Sequence, residues 1–179
     1  CDEFIVKKHN IEIRNLLRFA KEFVKFNEPC SSRLLGDMRA YNFVVEIIKD
    51  FDNIKDRFRP IDFDQQSYEG RKNIYLPQFY VDNRALVELA QEVLSQDAAN
   101  QYMKEERMAM RKRYLTREKR TRSLFRRIKQ DNLSTPANRN LLAKELREYY
   151  NYDGFVDGMT MGDILIMYME LKLGVKFFK

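Results

Sequence analysis

Twelve basic residues crowd the stretch from Lys104 to Lys129, and only Glu105, Glu106 and Glu118 stand against them. Those 26 positions carry +9, while the whole chain carries +6, so the remainder is acidic at −3. Between Arg111 and Lys129 the sole acid is Glu118. Pairing at i,i+4 is therefore mostly missing there, and like charges meet on adjacent turns. Arginine is preferred to lysine, and its planar fork matches carboxylate and phosphate oxygens two at a time. The candidate partner-binding residues are Arg111, Lys112, Arg113, Arg117, Arg120, Arg122, Arg126 and Arg127. The chemistry they offer is electrostatic capture of an acidic protein surface, an acidic region of a parent chain, or nucleic-acid phosphates. No zinc finger, aromatic RNA-binding pair or helix-turn-helix accompanies them, so base-specific reading is not expected. A Lys/Arg cluster of this kind also serves nuclear import where it is accessible.

Other residues with chemical potential are fewer. Asn151 and Asp153 precede and flank Gly154 in a segment that resembles part of an EF-hand loop, with Val156 at the apolar position. The first ligand position would fall on Tyr149 and the closing acid on Thr160, so calcium would lack two essential oxygen ligands. A helix–helix turn is the better reading. Asp62, Glu69 and Lys72 are similar in type to the acid–lysine set of metal nucleases, but their spacing and setting do not fit. His9 is the only histidine and reads as a surface residue, which leaves almost no material for His-based metal or nucleophile chemistry. Six scattered glycines form no phosphate loop. No cofactor, no metal site and no catalytic residue is expected.

These side chains need helices to hold them. Ile13, Leu16, Leu17, Ala20, Phe23 and Val24 recur at helical spacing within residues 3–27, and Asn27-Glu28-Pro29 is expected to stop that helix. Ser31 or Ser32 would cap a short turn ending at Gly36, and Phe43, Val44, Ile47, Ile48 and Phe51 form the apolar stripe of a longer helix. A long helix, a proline break, a short helix and another long helix resembles one armadillo or HEAT-type unit in arrangement, without a second copy. Residues 59–81, with Pro60, Gly70 and Pro77, read as an ordered loop or linker holding a short β-prone run at Asn73–Leu76. Asp82 would cap the next helix. Residues 98–131 lack glycine and proline and predict one long basic helix of about 50 Å at about 1.5 Å rise per residue. Thr135-Pro136 opens a further helix. Thr160 with Asp163 opens the last, which is apolar nearly all round, ends at Gly174, and carries methionines suited to core packing.

The chain of 179 residues is long enough to bury a real core without a disulfide or metal. Cys1 and Cys30 are too few for a bridge-stapled secreted fold, and no apolar run reaches membrane-span length, so an intracellular protein, cytoplasmic or nuclear, is expected. A first residue that is Cys rather than Met reads as a fragment or processed chain. The expected fold is all-α, an irregular bundle of about six to seven helices, armadillo/HEAT-like in part, with one long basic helix. It divides into an N-terminal helical subregion at 1–58, a loop at 59–81 and a C-terminal helical subregion at 82–179. The expected function is a non-enzymatic interaction or scaffold module of a larger protein, bound to an acidic partner through the arginine-rich helix. The alternative is a nucleic-acid-binding domain contacting the phosphates of RNA or DNA.

Overall fold

The side chain of Asn15 accepts the Arg18 N–H and caps helix α1, Leu16–Ser32. In this computed structural model, which describes residues 15–50, 53–130 and 133–178, α1 runs straight through Pro29. The sequence predicted a stop there. Proline removes one N–H and crowds the preceding turn, yet Asn27, Glu28, Cys30, Ser31 and Ser32 are all buried, and their packing holds the last turn in place. The short turn expected after Ser31 or Ser32 is instead the end of α1 itself, and Leu34 follows at φ 50°. Cys1, His9 and Ile13 lie outside the described residues.

The chain is mostly helical, but Phe43–Asp50 does not form the expected helix, and Phe51 lies outside the described residues. Strands β1 (Phe43–Asp50) and β2 (Asn53–Pro60) pair antiparallel, from Phe43 opposite Pro60 to Asp50 opposite Asn53. Val44, Val45, Ile47 and Ile48 are β-branched and lose rotamer freedom in a helix. In so short an apolar run, helical spacing cannot be told from a buried strand. One face of the hairpin sends Phe43 and Phe58 into an aromatic cluster with Phe19, Phe23 and Phe26 of α1, with ring centroids 5.1–5.7 Å apart. The second long helix of an armadillo-like unit is thus absent, and that resemblance falls.

Residues 61–83 wind over the surface with single 3₁₀ turns at Lys72–Tyr75, Pro77–Phe79 and Val81–Asn83, the first replacing the expected β-prone run. Five helices follow: α2 (Arg84–Val93), α3 (Gln96–Thr116), α4 (Glu118–Gln130), α5 (Pro136–Tyr150) and α6 (Met161–Leu173). Three of their starts follow capping residues, whereas α2 begins after Asn83 rather than the expected Asp82, with no capping hydrogen bond from its side chain. Ser95 caps α3 by accepting the Ala98 N–H at 3.2 Å, and Thr135 accepts that of Asn138 at 3.2 Å with Pro136 in the first turn. Thr160 accepts the Asp163 N–H and donates its hydroxyl to the Asp163 carboxylate at 2.8 Å. The apolar α6 is the central element of the second core, packed by α1, α3, α4 and α5. Leu142, Leu146, Met161 and Ile164 are fully buried there, and each contributes roughly 1.5–3 kcal/mol. Met159 and Met167 pack against the same core. Gly162 lets α4 approach α6, since a Cβ there would run into the Ile128 carbonyl oxygen. Among the described residues, no helix is long and apolar enough to cross a membrane.

A buried ion cluster joins α1 to these helices. Arg107 of α3 donates to both carboxylate oxygens of Glu28 at 2.9 Å, and the Lys172 ammonium of α6 lies 3.2 Å from the same group. Lys172 also donates to Ser31 Oγ. Burial pushes the Glu28 carboxyl up, but the hydrogen bonds from Arg107 and the charge of Lys172 outweigh it and hold the group below its ordinary value. A carboxylate depressed in the folded state stabilises above its unfolded pKa of 4.5, and that stability drains as pH falls through the folded pKa. Glu28→Gln leaves two cations facing each other, so chemical denaturation at neutral pH should show a loss of roughly 3 kcal/mol or more. The difference from wild type should shrink as pH drops below about 4.5. Gly162→Ala should cost about 1–3 kcal/mol in the same assay by pushing α4 off α6.

Candidate functional site: a basic groove and corner

The basic segment of the sequence is not one helix. α3 ends at Thr116, the Arg117 backbone leaves helical geometry at φ −113° and ψ 35°, and α4 begins at Glu118. Three local causes act together. Like charges on successive turns weaken a continuous helix. The Thr116 hydroxyl donates back to the Lys112 carbonyl at 2.8 Å, and such bonds bend helices. Glu118 places a negative charge in the first turn of α4, where the exposed N–H groups favour it. The corner is clamped from inside by Tyr114, Phe125 and Phe177, the last two 4.8 Å apart edge to face.

The bend distributes the eight candidate residues. Arg111, Lys112 and Arg113 stand on the last turns of α3, Arg117 at the corner, and Arg120, Arg122, Arg126 and Arg127 on α4. Arg122 folds onto Glu118 at 2.5 Å and is half-buried. Arg113 pairs with Glu106 at 3.3 Å. The remaining six are exposed, and none belongs to the segment's ion pairs seen among the described residues, which use Arg107, Arg113, Arg122 and Lys129 with protein carboxylates.

Arg113 does more than mark the helix end. It borders a groove of 540 Å³ between α1, β2 and α3, together with Arg18, Lys25 and Arg33 of the α1 region and Lys55, Arg57 and Arg59 of β2. Glu22, Asp56 and Glu106 are the acids on its walls, so the lining carries +4. Lys25 reaches Glu105 at 3.3 Å, and Arg59 reaches Glu46 across the hairpin at 2.5 Å. Burial pushes the Asp56 carboxyl up, with Arg18 pulling it back. Burial also raises the Tyr114 hydroxyl, and the charges of Arg33 and Arg113 act against it. Exposed Ile48 and Phe63 add apolar contact at the rim. Seven groove cations come from three elements, and six of them lie outside Lys104–Lys129. They were not recognised in the sequence, because their convergence depends on the hairpin. Alternating basic residues in Lys55-Asp56-Arg57-Phe58-Arg59, read at a period of two, would have been the signal.

The other sequence candidates separate. Asp62 accepts the Asp64 N–H in a local turn. The Glu69 carbonyl accepts the Tyr75 hydroxyl, while Lys72 lines a different cavity. Asn151 closes α5 in the left-handed conformation at φ 47°, and Arg147 donates to the Phe155 carbonyl at 3.0 Å, so Asn151–Asp157 is a turn folded over a buried phenylalanine. Among the described residues, no group of three or more His, Cys, Asp or Glu side chains is placed to hold a metal ion. Cys30 is buried, and burial drives its thiol far above the ordinary range.

No protein-family model matches the chain, and neither a curated protein nor a solved structure matches it. The groove and corner side chains are on the surface and support one another little. Arg57→Glu combined with Arg120→Glu should therefore shift folding stability by no more than about 0.5 kcal/mol per site in denaturant unfolding.

Proposed function

We propose that the chain is a non-enzymatic interaction module whose basic groove and α3–α4 corner dock an acidic protein surface. The observation that carries this reading is the composition of the groove wall. Seven cations are interleaved with three carboxylates and bordered by exposed apolar side chains. A nucleic-acid backbone presents phosphates at regular short intervals, and each wall carboxylate repels one of them. A peptide offers carboxylates for the arginine forks, N–H groups for the wall acids, and side chains for Ile48 and Phe63. The exposed arginines at the corner add long-range attraction, which speeds encounter and weakens with salt.

The test is fluorescence anisotropy with labelled Asp/Glu-rich peptides and with single- and double-stranded oligonucleotides, at low and moderate salt. The peptides should bind, and Arg57→Glu/Arg113→Glu or Arg120→Glu/Arg126→Glu should each weaken them about tenfold or more. Oligonucleotides should bind only at low salt. Submicromolar oligonucleotide binding that falls steeply with salt and disappears in both variants would replace this reading with phosphate-backbone recognition.

A further inference from the structure

The opposite face of α1 borders a second cavity, of 480 Å³, unlike the groove in both chemistry and position. Buried Lys172 and Glu28 and the half-exposed Arg107 and Lys72 supply its charged groups. Lys172, Arg107 and Lys72 line it, and Glu28 is the single acid on its wall. Glu28 is already held by Arg107 and Lys172, so the lining keeps an excess of two positive charges. The Lys72 ammonium rests on the Tyr149 ring, 4.2 Å from its centre, and donates to Asn73 at 3.0 Å. Glu145, the nearest other acid, takes the Lys72 backbone N–H at 2.7 Å and faces Arg71. Asn27 supplies the independent observation. It lines the cavity at 8% exposure, its Nδ2 donates to the Phe23 carbonyl at 2.8 Å, and its buried Oδ1 accepts nothing. A buried amide oxygen left without a donor costs about 1–3 kcal/mol. The rest of the lining mixes Leu76, Val87, Ala90, Leu94 and Met103 with the uncharged polar side chains of Gln78, Gln91, Ser95, Gln96 and Asn100.

We infer that this cavity binds a small organic anion: a carboxylate or phosphate held by Lys72 and Lys172, a neighbouring N–H or O–H given to Asn27, and an apolar body between α2 and α3. The volume is that of ordinary small-molecule sites, which pair an apolar lining with a few placed polar groups. Tyr150 and Tyr168 also line the cavity. Burial raises both hydroxyls well above the ordinary tyrosine range, so they stay neutral donors. Burial lowers the Lys72 ammonium, Glu145 opposes that, and Lys172 adds like-charge repulsion. An anion seated between the two lysines relieves both costs.

Calorimetric titration of the whole chain with N-acetylleucine, its methyl ester, 4-methylpentanoate and phenyl phosphate tests the site. N-acetylleucine should bind, and the ester, which lacks the charge, should be weaker by about tenfold or more. Binding of 4-methylpentanoate, which lacks the N–H, should fall between them. Asn27→Ala should erase the difference between N-acetylleucine and 4-methylpentanoate, and Ala90→Phe should abolish binding by filling the space for the apolar body. Lys72→Gln, a half-exposed position whose loss leaves the fold intact, should weaken the anions about tenfold and leave the ester unchanged. Tighter binding of phenyl phosphate than of N-acetylleucine would support the site and assign its head group as phosphate. Equal affinity for acid and ester, or the absence of binding by all three anions, would overturn it. Arg57→Glu/Arg113→Glu should leave these titrations unchanged, which keeps the outcome separate from that of the basic groove.

Discussion

Everything else in the molecule is arranged around one buried carboxylate. Glu28 sits in the last turns of α1, where solvent cannot reach it, and an isolated charge in that position would cost several kcal/mol. Arg107 and Lys172 remove that cost only if α3 and α6 lie against α1 in one relative placement, because the bidentate fork and the ammonium must meet the same group. Apolar packing tolerates small slides between helices; this cluster does not. It fixes the register of α1 against the C-terminal helices and keeps α1 helical past Pro29, since unwinding that turn would strip Glu28 of its partners. Burial of Glu28 and Lys172 strengthens their attraction, and the same burial makes any incomplete version of the cluster unfavourable.

With α1 pinned, its side chains divide by helical position into three faces, each turn advancing about 100° per residue. Phe19, Phe23, Phe26 and Cys30 face the hairpin and build the aromatic core. Arg18, Glu22, Lys25 and Pro29 face the basic groove. Val24, Asn27, Glu28 and Ser31 face the second cavity. One helix is thus a wall common to two concave surfaces of different character. The groove is wide, charged and bordered by mobile-length side chains. The cavity is smaller and lined by apolar and polar side chains together.

The features that were legible in the sequence are those written locally. Thr135-Pro136 and Thr160 with Asp163 mark the starts of α5 and α6 because a cap acts within three residues. Gly174, at φ 60°, marks the end of α6 for the same reason. The turn at Asn151 was readable from its Asn, Asp and Gly content. What was not legible was decided at a distance. The Phe43–Ile48 run has no period that separates strand from helix, and Phe58, fifteen positions beyond Phe43, settles the matter by packing beside it. Pro29 is a breaker by local rule, overridden by burial of the residues around it. The bend at Arg117 has local causes in the like charges, Thr116 and Glu118, but the ring contacts of Tyr114 with Phe125 and Phe177 that clamp it come from further along the chain. The excess charge of residues 104–129 was countable from composition, whereas the groove that takes Arg113 required the hairpin. The buried cluster left no mark at all, since nothing in the sequence distinguishes Glu28, Arg107 and Lys172 from surface charges.

The separation of Glu28 from its partners also sets an order of events during synthesis. Arg107 lies 79 positions further along the chain, a delay of several seconds at roughly 5–20 residues per second of translation. Lys172 follows later still, close to the end of α6. The phenylalanines of α1 and the hairpin are all on the ribosome's exit side before either cation exists. During that interval the carboxylate at position 28 can stay hydrated, on a different face of the helix from the phenylalanines that meet the hairpin. The same charge that later locks three helices together thus waits in water until its partners are made.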